Sequence, residues 1–142
     1  MRTLGLDVGT KRIGIAISDE LFITAQAFAT IERSILQSDL EVIKNIIKNN
    51  DILEVIVGLP LNMDGTYSAK TKEVIEFMDS LLKVINIPVK TWDERLTTLQ
   101  AERTLLAADM SRAKRKRLMD KLAAQVILQS YLDSRKKESK NA

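Results

Sequence analysis

The sequence contains no cysteine and no histidine among its 142 residues. Without cysteine, the chain has no disulfide framework and no thiolate metal site. Without histidine, Ser-His-Asp and Cys-His catalysis and imidazole-bound zinc are excluded. A general base or a metal ligand must therefore come from carboxylates, lysine, tyrosine or water.

Aromatic residues and long apolar runs are also scarce. Aromatics make up 4% of the chain, with one tryptophan, so a platform of rings for stacking bases is not expected. No apolar run is long enough to span a bilayer. The start of the chain, Met1–Leu6, lacks the apolar stretch of a signal peptide. We expect a cytoplasmic protein with no membrane partner.

Positive charge is concentrated at one end of the chain. Residues 111–142 contain 10 Lys+Arg and 3 Asp+Glu, a net charge of +7, whereas the first 110 residues carry a net charge of −4. A basic end on an acidic body suggests a polyanionic partner. The last residues, 135–142, are expected to form a basic, flexible tail, and 1–134 a single domain.

Hydrophobic periodicity predicts strands first, then helices alternating with strands. Thr3–Val8 and the segment from Ile13 to Ser18 are predicted to form a β-hairpin about Gly9-Thr10. This order indicates an α/β fold with a mixed sheet covered by helices on both faces. The later predictions are strands at Ala25–Ile31, Leu53–Leu59 and Ile87–Trp92, and helices from a Ser38-Asp39 cap and at Ser68–Ile85, Thr97–Ala108 and Lys116–Leu132.

Asp7 is the first candidate for a functional carboxylate. It lies in an apolar strand, where an ionised carboxylate is costly unless it is paired or bound to metal. Its neighbours on that face are small, with Gly5 beside it and Gly14 on the next strand, which leaves room for a ligand. The alternative is a buried aspartate paired with Lys11, Arg12 or a backbone amide.

Two further acidic positions have structural alternatives of their own. Asp93 and Glu94 directly follow a predicted strand, and sites in open α/β sheets gather at the carboxyl ends of strands. Asp93 could instead cap a helix that begins near Leu96. Asp120 lies early in the last predicted helix, where interaction with the helix dipole would also explain it.

Convergence of three acids would decide between these alternatives. Hard divalent cations take oxygen ligands, and two such ions can clamp the attacking water and the leaving oxygen of a phosphodiester. A site of this kind needs carboxylates from separate elements and no histidine. The sequence has that inventory beside a basic segment, so it predicts phosphodiester chemistry if the acids meet.

Four stretches of the sequence together resemble the YqgF family, also called RuvX-like. Its members are described as Holliday junction resolvases with a proposed role in processing precursor 16S ribosomal RNA. The resemblance implies an RNase H-like fold and phosphodiester cleavage that depends on Mg²⁺ or Mn²⁺, with two ions, leaving a 5′-phosphate and a 3′-hydroxyl. The stretches are Leu4–Asp19, Val57–Gly65, Trp92–Thr98 with its Asp-Glu-Arg-Leu-Thr-Thr motif, and Asp109–Asp133.

The same resemblance implies roles for individual residues. Asp7, Glu94 and Asp120 would be the catalytic metal ligands, and Asp93 is a further candidate ligand. The match to the family is looser around Ser68–Lys70. The loop residues that would line the cleft are Asn62, Asp64 and Gly65. The residues that would face nucleic acid are Lys11, Arg12, Arg95, Arg112, Lys114, Arg115, Lys116 and Arg117.

Two other function classes stay open at the level of sequence. The segment Gly5–Thr10 is similar to the phosphate-binding hairpin of actin-like and sugar-kinase ATPases, although those close two such domains around a nucleotide and no Gly-x-x-x-x-Gly-Lys-[Ser/Thr] loop is present. A non-catalytic RNA-binding assembly factor would rely on salt-sensitive backbone contacts. The substrate is expected to be precursor rRNA, branched DNA or both. The protein is expected to be a monomer or a weak homodimer.

Overall fold

Five strands form one mixed sheet in the order β3-β2-β1-β4-β5 in the computed structural model. The structure describes residues 1–96 and 111–141, and at positions 112, 115–121 and 137–141 it describes the backbone alone. The elements are β1 (Arg2–Val8), β2 (Arg12–Ser18), β3 (Ala25–Glu32), α1 (Leu36–Asn49), β4 (Ile52–Leu59), α2 (Ala69–Leu82), β5 (Val89–Asp93), a 3₁₀ turn (Glu94–Leu96) and α3 (Arg112–Asn141).

The pairing of strands confirms the predicted mixed sheet with an antiparallel start. Strands β1, β2 and β3 form an antiparallel meander, in which Asp7 lies opposite Gly14. Strands β1, β4 and β5 are parallel, with Leu6 opposite Val57. Side chains therefore alternate between the two faces, and the odd-numbered positions of β1 from Thr3 to Asp7 share the face opposite Leu6.

Each face of the sheet has its own apolar core. The first core lies under α1 and α2 and is built from large groups on strands and helices, including Leu4, Ile15, Ile43 and Phe77. The second lies under α3 and combines alanines, such as Ala16 and Ala124, with large groups such as Leu128 and Tyr131. The amphipathic helices and alternating strands of the sequence predict this three-layer arrangement, and the structure confirms it.

Helix α1 begins two residues before its predicted Ser38 cap. Ile35 occupies the N-cap position, and no side chain caps it. Asp39 lies in the first turn instead, where its carboxylate accepts from the backbone N–H of Ser34 at 3.1 Å and pairs with Arg33. The cap prediction was wrong because the same carboxylate can satisfy a backbone N–H outside the helix.

The connection from β4 to α2 follows the sequence closely. Residues 62–67 form the predicted loop, and Gly65 adopts a positive φ of 87°, a conformation that favours glycine. Ser68 caps α2: its hydroxyl accepts from the Thr71 N–H, and the Thr71 hydroxyl accepts from the Ser68 N–H.

Helix α3 is longer at both ends than the predicted Lys116–Leu132. The Ser111 hydroxyl accepts from the Lys114 N–H at 3.3 Å, so the helix begins at Arg112. At its other end it continues through 135–141, where the sequence predicts a tail. Arg135 donates to Glu54 at 2.9 Å and holds the helix on the sheet beyond residue 134.

The predicted helix Thr97–Ala108 lies outside the described residues. Within residues 1–96 and 111–141, no helix is long and apolar enough to cross a membrane.

Candidate active site

Two carboxylates from distant parts of the chain meet at one end of the sheet. Asp7 is the seventh residue from the start of the chain and lies near the end of β1, whereas Glu94 directly follows β5. Their carboxyl groups share a hydrogen bond, although β4 lies between the two strands. A hydrogen bond between two acids requires that one of them hold a proton, unless a cation lies between them.

A glycine makes this contact possible. An added Cβ on Gly58 of β4 would lie 2.7 Å from Oε1 of Glu94 and 2.5 Å from Cδ1 of Ile127. A methyl group fits there only if the Glu94 carboxylate and the end of the Ile127 side chain both move. The Glu94 side chain thus packs against the backbone of Gly58, beside Asp7.

The environment of Glu94 raises the pKa of its carboxyl group from the usual 4.5 to about 8. Burial is the main cause, followed by the charge of Asp7 and the hydrogen bond to it. The charge of Lys70 acts in the opposite direction. The two acids therefore share a proton near neutral pH, and a bound cation would replace that proton.

Strand alternation explains why Glu94 and not Asp93 meets Asp7. Asp93 lies opposite Leu59, whose side chain belongs to the core under α1 and α2. The Asp93 carboxylate instead binds Arg95 with both oxygens, at 2.6 Å and 3.0 Å among other contacts. This ion pair with Arg95 lowers the pKa of Asp93.

Lys70 brings a positive charge to the same end of the sheet. It lies in the first turn of α2 and its Nζ donates to Oγ1 of Thr10 at 3.1 Å, which ties the helix to the turn between β1 and β2. Sequence reasoning missed Lys70 because its motif match is loose. The signal that could have found it is its place just after the loop that follows β4.

The cleft loop and the first basic residues lie around this pair. Lys11 is exposed in the turn after Asp7, and Arg12 pairs with Glu32 on β3 at 2.7 Å. Sequence reasoning also missed Arg33, whose Nη1 donates to the Gly9 carbonyl at 3.1 Å and so fixes the turn. In the loop, the Gly65 N–H donates to the Asn62 carbonyl at 2.8 Å, and the Asp64 carboxylate accepts from the Thr66 N–H at 3.0 Å.

The remaining predicted site residues belong to α3. Asp120 lies one helical turn before Ala124, and its side chain is outside the described residues, as are those of Arg112, Arg115, Lys116 and Arg117. Lys114 is exposed. Among the side chains that the structure describes, no three acidic groups cluster as a metal site, so the described contact is the pair of Asp7 and Glu94.

The antiparallel meander, the parallel strands β4 and β5, and the helices on both faces define an RNase H-like fold. The same fold is present in RuvC of Thermus thermophilus bound to a Holliday junction substrate, with a TM-score of 0.59, 14% identity and 95% of each chain covered. The Holliday junction resolvase of fowlpox virus gives a TM-score of 0.54 at 13% identity, with 94% of this chain and 99% of that one covered.

The chain belongs to the RuvX family, described as Holliday junction resolvases, whose model matches residues 1–134. A protein of Caldanaerobacter subterraneus subsp. tengcongensis is 54% identical over 137 residues, which cover 96% of this chain and 99% of that protein. One of Heliobacterium modesticaldum is 50% identical over 135 residues, covering 95% and 91%. Both are provisionally named pre-16S rRNA nucleases.

Proposed function

We propose that this protein is a cytoplasmic nuclease that hydrolyses phosphodiester bonds in precursor 16S ribosomal RNA, with branched DNA as a second class of substrate. The observation that carries the proposal is the contact between Asp7 and Glu94 over Gly58. Relatives that cover nearly the whole chain are named for this activity. The proposed unit is the domain 1–134, acting as a monomer or a weak homodimer.

The donor set fits Mg²⁺ or Mn²⁺. Burial, the charge of Asp7 and the hydrogen bond to Asp7 together raise the pKa of Glu94. Hard divalent cations take carboxylate oxygens. Asp7 and Glu94 would hold the metal, two ions in all, with Asp93 engaged by Arg95 instead. When bound, the ions would stabilise charge on the phosphate and lower the pKa of the attacking water.

The path of α3 supports Asp120 as the third acid. Near one end of β1, Thr3 and Tyr131 both bond to Glu54, and further along, Gly5 contacts Leu128 and Ala124. The helix therefore runs along β1 in the opposite direction. Two residues of strand and four residues of helix both advance about 6 Å, so stepping on from Gly5 to Asp7 corresponds to stepping back from Ala124 to Asp120.

Basic residues would bind the substrate backbone. Lys70 and Lys11 lie at the end of the sheet where the carboxylates meet, and their charges suit a phosphate there. The basic run that begins α3 continues this positive charge along the helix that leads to Asp120. The contacts would be to phosphates, so affinity is expected to fall steeply with salt and to depend weakly on sequence.

The test is cleavage of a precursor 16S RNA fragment and a synthetic four-way junction, each with Mn²⁺ and with EDTA, followed by mapping of the ends. The wild type should cut with Mn²⁺ and leave 5′-phosphate and 3′-hydroxyl ends. Asp7→Asn, Glu94→Gln and Asp120→Asn should each lose about 100-fold or more, because each removes a metal ligand worth several kcal/mol.

The control is Asp79→Asn, which changes an exposed acid on α2 and should cut normally. A folded Asp7→Asn protein that cuts both substrates at the wild-type rate would contradict the proposal. Wild-type binding to RNA without cleavage under any metal condition would favour a non-catalytic assembly factor.

A further inference from the structure

The loop between β4 and α2 is closed and internally bonded. Leu61 and Tyr67 form a β-bridge at its base, and the Asn62 N–H donates to the Thr66 carbonyl at 2.9 Å. The Asp64 carboxylate accepts from both the N–H and the hydroxyl of Thr66, at 3.0 Å and 2.6 Å. With Gly65 completing the turn, the backbone of residues 61–67, here called the rim loop, has a defined shape.

Arg95 fastens the rim loop to Asp93 at the end of β5. Its guanidinium is held by both oxygens of Asp93, and its Nη1 donates to the backbone carbonyl of Met63 at 3.1 Å. It also lies 3.5 Å from the place where a Cβ on Gly65 would be. Because Arg95 directly follows Glu94 in the chain, this contact holds the tip of the rim loop beside the acids.

Met63, at that tip, exposes an apolar side chain. It is 85% exposed, the highest exposure among the exposed large hydrophobic residues of the described chain. The Met63 carbonyl is held by Arg95, whereas the Met63 side chain is largely exposed to solvent. Fixing the backbone in advance reduces the entropy that binding would otherwise cost, which makes an exposed thioether at this place an efficient contact.

We propose that the rim loop is a preformed base-binding element, in which Arg95 is the positioning residue and Met63 packs on the face of an unstacked base next to the scissile phosphate. This inference rests on the proposed nuclease function. A phosphate held near Asp7 and Glu94 brings its own nucleotide to the rim loop. The partner of Met63 is then an apolar surface that the substrate itself supplies.

The chemistry selects an unpaired nucleotide. In a continuous helix both faces of a base are covered by its neighbours, so a thioether reaches a face only where the base is unstacked. Methionine also reads no hydrogen-bonding edge, which makes the contact tolerant of base identity. The expected substrate has a flexible or looped-out nucleotide at the cut, and an uninterrupted duplex is expected to bind less well.

The test measures binding with EDTA present, using an RNA hairpin that carries an unpaired 2-aminopurine in its loop and a fully paired duplex of equal length. Met63→Ala should weaken binding to the hairpin roughly fivefold to tenfold and change duplex binding little. Met63→Phe should restore hairpin affinity, because a ring offers the same apolar contact. The matched control is Leu21→Ala, at an exposed leucine (75%) in the β2–β3 turn at the other end of the sheet.

Arg95→Lys separates positioning from direct phosphate contact. Lysine keeps the charge but loses the fork that spans Asp93 and Met63. If Arg95 acts through Met63, the double variant with Met63→Ala binds the hairpin no more weakly than the weaker single variant. Additive losses would overturn the positioning role of Arg95.

Wild-type affinity in Met63→Ala, or equal weakening on both RNAs, would overturn the base contact. If the protein never cleaves but its preference for the hairpin is lost in Met63→Ala, the proposed nuclease function is contradicted while the contact between Met63 and an unpaired base still stands. Cleavage that is the same in the wild type and in Met63→Ala, with equal binding to the hairpin, would support the nuclease function and contradict the base contact. The two proposals therefore fail by different results.

Discussion

The two faces of the sheet carry different side chains for different purposes. The face under α1 and α2 is filled by large aliphatic and aromatic groups, such as Leu4, Ile43 and Phe77. The face under α3 has glycine at positions 5 and 58 and carries the carboxylates of Glu54, Asp7 and Glu94. The first face contributes apolar burial. On the second face, glycines in place of larger side chains reduce the apolar burial and let a helix backbone and carboxylates lie directly on the strands.

The polar groups on the second face are of two kinds. Glu54 is buried and satisfied, because it accepts from Tyr131 at 2.8 Å and Arg135 at 2.9 Å and pairs with Lys90. Glu94 is also largely buried but lies against a second acid, Asp7, and burial together with the charge of Asp7 raises the pKa of Glu94. Glu54 therefore fixes the helix in place, whereas Glu94 holds a proton that a bound cation would replace.

The largest stability effect is expected on the apolar face. Phe77→Ala should lower the free energy of unfolding by about 3–5 kcal/mol, because Phe77 is 3% exposed and the cavity can only partly close. Urea unfolding measures it, with exposed Phe28→Ala as a control expected within about 0.5 kcal/mol of wild type. Loss of cleavage by Phe77→Ala while it is still folded would break the proposed division between the faces.

Gly58→Ala should damage both stability and cleavage. The new methyl group would overlap Glu94 and Ile127, at an expected cost of about 1–3 kcal/mol, and would push the carboxylate away from Asp7. Gly5→Ala is the comparison, since its methyl would meet Leu128 Cβ at 2.8 Å and no site carboxylate is among its near contacts. We expect Gly5→Ala to lose more stability, because Leu128 Cβ and the Ala124 carbonyl can move only with α3. Gly58→Ala should nevertheless lose more cleavage, and a loss of cleavage in Gly5→Ala that is at least as large would contradict this.

Stability of the metal-free protein should fall as pH rises from 5 to 8. The pKa of Glu94 is higher in the folded state, about 8, than its usual 4.5, so the folded state holds the extra proton in this window. The stabilisation that comes from this proton is fully present below pH 4.5 and is lost as pH rises through 8. In this window the free energy of unfolding falls by at most about 1.4 kcal/mol per pH unit. The lowered pKa values of Asp19, Asp64 and Asp93 act below this window.

Urea midpoints at several pH values in EDTA measure this slope. Asp7→Asn should make it shallower without removing it, because the charge of Asp7 is lost but the burial of Glu94 remains. A wild-type stability that rises across the window would show that the two acids do not share a proton.

The smallest effect is expected at Glu54. Glu54→Gln keeps a hydrogen-bond acceptor for Tyr131 but loses the charge that pairs with Arg135 and Lys90, whose side chains are about half exposed. Screening by solvent limits the loss to about 1 kcal/mol. Thermal unfolding at low and high salt should show the difference shrink as salt increases; no difference at low salt would remove Glu54 from the account of helix placement.

Much of the fold follows from local patterns. The hairpin alternation of β1 and β2, the turn at Asp64-Gly65 and the start of α2 near Ser68 lie where the sequence predicts them, because each is decided within a few residues. The predicted start of α1 was wrong because the Asp39 carboxylate can accept from a backbone N–H before the helix as well as from one within it. The extension of α3 depends on Glu54, far away in sequence, so a local pattern does not contain it.

The site was only partly readable from the sequence. Small neighbours of Asp7 indicate space at that strand, and the contact with Glu94 follows from strand order and from the absence of a side chain at position 58. Whether Asp93 or Glu94 lies beside Asp7 depends on the face of the sheet to which each residue points. A shift of one residue in the strand register exchanges the two faces, so the sequence pattern does not decide it. The roles of Asp120 and of the basic residues from Arg112 to Arg117 stay predictions.

The central claim is that Asp7 and Glu94 form one oxygen site that takes a divalent cation in place of a shared proton. Titration calorimetry of Mn²⁺ into the wild type and Asp7→Asn, in two buffers of different ionisation enthalpy, tests it directly. We expect Mn²⁺ binding with proton release near pH 7 for the wild type, and at least roughly tenfold weaker binding for the variant. Equal affinity in the two proteins, or binding without proton release, would contradict it.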